Sequence, residues 1–293
     1  DIKKWTAQQK HCQQNLPELV RRLILAHASN AVEFTFPMGD RTSAPGWDGR
    51  LNTPVVSPFF PEGISGWEMS TEDPPQAKAE TDYQKRKTDS LGLPLNETTF
   101  VFVTPHAWDS HTTWETQKKG DNAWKNVCVK NVDDLLSWLN SSPAVARWFA
   151  HEIHKVLPGG IRALEAFWEE WSVGTLPVMT PELVISGRRS DLDAVQRWII
   201  GHDGTLELQA DHPDEAFAFL YAAIVSLPET EKTRALARCL IVENTNELRN
   251  LITSYQSHPL IIAVPSECAG TAPYAVSKGH HVFIAMDAKA IGL

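Results

Sequence analysis

From Pro181 onward the sequence alternates short apolar runs with amphipathic stretches, a pattern that few architectures satisfy. "ELVISG", "TLELQA", "RCLIVEN", "PLIIAVP" and "HHVFIAM" read as strands, while "DLDAVQRWIIG", "DEAFAFLYAAIVSL" and "TNELRNLITSY" carry the three- and four-residue spacing of helices. Strands that are apolar throughout need cover on both faces, and helices between them supply it. The stretch 181–293 is therefore expected to be a second, smaller α/β domain with a parallel sheet.

The earlier part follows a different grammar. "LPELVRRLILAHA" predicts a helix opening at Pro17, and "AVEFTFPMG" alternates apolar and polar residues as a half-buried strand does. A strand near Asp48, a loop with Pro54, Pro58 and Pro61, and a strand through Trp67 and Glu68 come next. The polar helix "AKAETDYQKRK", the strands "TTFVFVTP" and "NVCVKNV", and the helices "VDDLLSWLN" and "PAVARWFAHEIHKVL" complete the series. This predicts an α/β unit with a mixed sheet flanked by helices over residues 1–157. The Pro-Gly-Gly break at 158–160 opens a predicted linker with one helix, 158–180. A chain of 293 residues is long enough for two cores.

Composition narrows the function classes. The formal net charge of −9 gives no general pull toward nucleic acid, so any such surface must be local. No apolar run approaches the roughly 18 residues of a membrane span. Cys12, Cys128, Cys239 and Cys268 lie far apart without a C-x-x-C pair, which suggests neither a zinc site nor a disulfide framework and fits a reducing cytoplasm. The opening "DIKKWTAQQ" carries no charged-then-apolar leader and fits a trimmed chain.

Two stretches, "PGWDGRL" and "GISGWEMST", each place one carboxylate directly after a tryptophan, at Asp48 and Glu68. A carboxylate half-buried beside an indole costs several kcal/mol unless a donor, a cation or a metal compensates it. Asp48 read alone is equally a turn residue bonding its own backbone. The basic stretch Lys78 to Lys87 carries four positive and two negative residues, enough for local phosphate binding or for a solvated helix face.

The order helix, strand, Asp-bearing strand, Glu-bearing strand, basic helix, strand resembles the PD-(D/E)XK core of restriction endonucleases and Mrr-like nucleases. The resemblance implies that Asp48 and Glu68 hold Mg²⁺ or Mn²⁺, with Glu18 of the first helix as a further metal ligand. Hard divalent cations prefer such oxygen donors, activate water and neutralise charge developing on a phosphate. The motif departs at its third member, where Ser70 stands in place of lysine; Lys78 is the candidate replacement, with Lys85 and Arg86 as backbone-phosphate contacts. Glu18, set just after Pro17, also suits a helical first turn on dipole grounds alone.

Other motifs fall short. "HEIH" lacks the i, i+4 spacing of a zinc pair, "GISG" breaks the nucleophile-elbow register at Trp67, and Trp138, Trp148, Trp168 and Trp171 sit at core positions of helices. The second domain has no G-x-x-x-x-G-K-[ST], and its "DHPDE" turn puts acids where phosphates would bind, so no ATP binding is expected. By strand order it resembles a degenerate P-loop or STAND-like segment. The two resemblances together imply a metal-dependent endonuclease effector at the N-terminal part of a bacterial antiphage defence protein, with double-stranded DNA as partner. RNA as substrate and assembly into a homo-oligomer both stay open. The alternative is a catalytically silent scaffold or recognition module that keeps the fold without the chemistry.

Overall fold

The computed structural model describes residues 2–28, 31, 33–37, 46–202, 204–255 and 258–287. Val32, Pro45 and the tail 288–293 lie outside them. The chain is α/β and divides into two compact units, 1–140 and 141–293, each with a five-stranded mixed sheet. Among the described residues no helix is long and apolar enough to cross a membrane.

The first unit runs α1 (Ile2–Thr6), α2 (Gln9–His27), β1 (Glu33–Thr35), β2 (Gly49–Thr53), β3 (Gly63–Met69), α3 (Pro75–Thr88), β4 (Thr98–Val103), α4 (His111–Gly120), β5 (Asn126–Lys130) and α5 (Val132–Asn140). Its sheet follows chain order, β1-β2-β3-β4-β5; the first three strands are antiparallel and the last three parallel. Helices α3 and α4 serve as the crossovers that parallel neighbours require. β4, "TTFVFV", is buried along its whole length, as its apolar run predicts for a central strand.

One face of this sheet packs Phe100, Phe102, Val127 and Val129 against Ala79 and Tyr83 of α3 and Trp114 of α4. Helix α2 begins at Gln9 rather than Pro17, so Pro17 lies inside it. Glu18 is consequently mid-helix and not in the dipole-favoured first turn.

The second unit comprises α6 (Pro143–Glu152), β6 (Ile161–Ala163), α7 (Leu164–Ser172), α8 (Pro181–Ile185), α9 (Arg189–Ile200), β7 (Thr205–Ala210), α10 (Pro213–Val225), α11 (Glu229–Leu236), β8 (Cys239–Val242), α12 (Thr245–Ser254), β9 (Ile261–Pro265), α13 (Ala272–Ser277) and β10 (His281–Asp287). The strand order is β6-β8-β9-β10-β7. Alternate residues of its strands feed two cores: Cys239, Ile241, Ala263 and Phe283 pack with α7, α9 and α10, whereas Leu240, Val242, Ile262 and Ile284 pack with α12 and α13. Two-sided cover is the arrangement that the apolar strands call for.

Three expectations are corrected here. The residues 158–180 contribute β6 to the sheet and α7 to the core, so the division falls between Asn140 and Ser141 and the second unit is the larger. β6 pairs antiparallel with β8, which makes the second sheet mixed and leaves only β7 to β10 parallel. "ELVISG" is the short helix α8, because Thr180 caps it by accepting from the Leu183 N–H and Pro181 occupies its first turn.

Candidate functional site

The Trp-acid pairs face each other across β2 and β3. Gly49 pairs with Trp67 in the antiparallel register, so one step beyond the strand puts Asp48 opposite Glu68. Asp48 is fixed there because its Oδ2 accepts from the Met69 backbone N–H at 2.7 Å. Glycines make room for the aromatic rings. A Cβ on Gly66 would meet the Trp47 ring at 2.7 Å, and one on Gly49 would meet the Phe36 ring at 2.1 Å. Trp47 and Trp67 are both buried, which places the two acids among ring systems rather than in open solvent.

Helix α3 brings the counter-charges. Lys78, Asp82 and Arg86 are spaced one turn apart and share one side of the helix. Arg86 is 2 % exposed; its Nε donates to Glu68 Oε1, a second guanidinium nitrogen donates to the Gly46 carbonyl, and its guanidinium carbon lies 4.9 Å from the Trp47 ring centroid. Lys78 Nζ donates to Asp82 Oδ1 at 2.9 Å. Asp82 is 2 % exposed and Glu68 5 % exposed, so a third carboxylate joins the site from the helix.

Burial raises the pKa of both Asp48 and Glu68, and each carboxyl lies close enough to interact with the other. For Glu68, burial followed by the Asp48 charge pushes the value to about 8, against the pull of Arg86. For Asp48, burial outweighs the Met69 hydrogen bond, and the Asp82 charge adds to the rise. The pair therefore holds a proton into the neutral range. The Lys78 ammonium is favoured by its bond to Asp82 and by the charges of Asp82, Glu72 and Glu68, which together outweigh its desolvation.

Asp48 and Glu68 offer a hard divalent cation two carboxylates; among the described residues the set of three such ligands within 4.8 Å of one another lies elsewhere, at His151, Glu152 and Glu169. Asp48, Glu68 and Asp82 each give one oxygen to a protein donor, and Asp82 Oδ2 is buried with no hydrogen-bond partner among the described residues. Three carboxylates against Lys78 and Arg86 leave an excess of negative charge, which a proton or a cation offsets.

The predicted residues do not all converge. Arg86 is not an outward phosphate contact: it is sealed under the sheet as the partner of Glu68. Lys85 is exposed on the outer side of α3. Glu18 pairs within its own helix, accepting from Arg22 at 2.7 Å and from Arg21 at 3.5 Å, so its carboxylate is already satisfied by two cations. Ser70, where the resemblance expects lysine, accepts from the Glu72 N–H at 3.1 Å and shapes the turn after β3.

Asp82 was missed, although its spacing from Lys78 and Arg86 was visible. In the second unit, His151 and Glu152 at the end of α6 meet Glu169 of α7, with ligand atoms within 4.8 Å of one another. The i, i+4 criterion applied to "HEIH" could not see this group, because Glu169 comes from another helix. Comparison with protein-family models and with curated proteins finds no match to this chain.

Proposed function

We propose that the first unit is a metal-dependent endonuclease of the restriction-like class, hydrolysing DNA phosphodiesters with Mg²⁺ or Mn²⁺. The observation that carries this reading is the register-opposed pair Asp48 and Glu68, with the Lys78 ammonium in electrostatic reach of Glu68. Asp48 and Glu68 would hold the cation, which when bound supplies Lewis acidity and an activated water. Lys78 would stabilise a phosphoryl oxygen as its charge grows, the part that the resemblance assigns to the lysine missing at Ser70. Asp82 keeps that ammonium in place. DNA is the substrate class that the resemblance favours, and the same resemblance is the ground for reading the chain as part of an antiphage effector.

One observation favours a second reading, a silent scaffold: Arg86 already neutralises Glu68 internally. Cleavage of supercoiled plasmid by the wild type and by Glu68→Gln, with Mg²⁺, Mn²⁺ or chelator, at low and high protein concentration, separates the two. Metal-dependent nicking that vanishes in the variant supports the nuclease. Absence of cleavage together with absence of calorimetric Mn²⁺ binding assigns the unit to the scaffold class.

A further inference from the structure

Asp82 has no place in the sequence motif, yet it is the most deeply buried of the three acids around the site. Its one bond among the described residues, to Lys78 at 2.9 Å, is an i, i+4 pair of the kind that ordinarily lies in solvent and contributes little. Burial changes the balance. An aspartate with one oxygen dry and unpartnered is costly to keep, and an apolar residue would serve the helix better. Asp82 lies one turn before Arg86 on the side of α3 that Arg86 turns to Glu68, and its charge bears on both Asp48 and Glu68.

We infer that Asp82 is a positioning residue of the metal site, with Oδ1 holding Lys78 over the Asp48–Glu68 pair and Oδ2 accepting from a water in the cation's hydration shell. The inference rests on reading Asp48 and Glu68 as metal ligands. Its chemistry is that of an outer-shell carboxylate, which orients what the cation carries without touching the ion. Helix α3 suits the task. Arg86, one turn after Asp82, is bonded to Glu68, so the helix that carries Asp82 is tied to the ligand strand by a buried ion pair.

The test is calorimetric titration of Mn²⁺ into the full chain as wild type, Glu68→Gln and Asp82→Asn, with the thermal melt of each measured in chelator. Asn keeps the shape of Asp82 and an acceptor for Lys78 while removing the charge and the second acceptor. The expected result is wild-type binding, loss of binding in Glu68→Gln, and a 10- to 100-fold weaker dissociation constant in Asp82→Asn, about the effect of removing an outer-shell ligand partner. A merely structural role would lower the metal-free melt and leave the Mn²⁺ affinity within twofold, which overturns the inference alone.

Failure of the wild type to bind Mn²⁺ overturns the metal reading itself. Should Asp82→Asn not fold, Fe²⁺ loaded into the wild type with ascorbate and peroxide cuts the chain near the ion. Cuts beside residue 82 as well as beside 48 and 68 sustain the inference, and cuts that spare α3 refute it.

Discussion

The buried pair between Arg86 and Glu68 gives a sharp energetic prediction. Both side chains are almost wholly removed from water, at 3 % and 6 % exposure. Arg86→Met keeps the aliphatic volume and contact with Trp47 but leaves Glu68 facing Asp48 and Asp82 with its nearest cation gone. Breaking one side of a buried pair typically costs about 3–5 kcal/mol, because the remaining charge stays desolvated.

The sign of the pH dependence follows from the raised pKa. Glu68 binds its proton more tightly in the folded unit than in the unfolded chain, so its contribution is present in acid and is lost as pH rises from its ordinary value toward about 8. Removing Arg86 extends that loss. The penalty of Arg86→Met should be about 1 kcal/mol at pH 6, where a protonated Glu68 forgoes only a hydrogen bond, and rise to about 2 kcal/mol at pH 8.5, short of the 3–5 kcal/mol of a pair ionised throughout because Glu68 escapes the cost by keeping its proton. Glu68→Met combined with Arg86→Met removes both charges and should lie within about 1 kcal/mol of wild type.

Urea unfolding in chelator, at both pH values, gives the four free energies of the cycle. A pH-independent penalty under about 1 kcal/mol, or additive single and double variants, would refute the claim that this pair carries the site's internal charge balance.

Two further outcomes follow from the packing. Gly66→Ala drives a methyl into the Trp47 ring, 2.7 Å away, and should cost about 1–3 kcal/mol while blue- or red-shifting Trp47 emission; an unchanged urea midpoint would mean that the ring has room to move. In the second unit His280 is fully buried and accepts from the Leu260 N–H at 3.1 Å, and burial lowers its pKa against the pull of a hydrogen bond to the Tyr255 backbone. The unfolded chain then binds the extra proton, so stability should fall as pH drops below about 6.5, by up to about 1.4 kcal/mol per unit until the native value is reached; His280→Gln should flatten that slope, and equal slopes would dismiss His280 as its source.

Much of the architecture was legible because burial writes itself into strands. β8 is apolar at every position and β4 from Phe100 to Val103, which a doubly covered strand tolerates, and the order of elements from β2 to β5 followed. Two short elements were not legible: β6 is three residues long, and the apolar run of α8 fits either state. Pro17 misled because proline favours a helix start yet is here inside a helix whose polar first turns carry no start signal.

At the site, Asp48 and Glu68 stood out because the flanking Trp and Gly residues restrict where they can lie. Arg86 did not, since a buried arginine between Lys85 and Lys87 has the same letters as an exposed basic run. Only the one-turn spacing of Lys78, Asp82 and Arg86 distinguishes the inner side of α3 from its outer side.

The place of β10 in the second sheet sets a timetable for making the protein. β10 lies between β9 and β7 and pairs with both, so β7 waits on a ribosome-bound chain without a neighbour until the last of the described strands has been synthesised. Every strand of the first sheet lies within residues 33–130 and can pair long before that. The nascent chain thus presents a finished first unit beside an open strand edge, and that interval is when an early stop or a slow stretch of translation would most expose it to strand pairing with another chain.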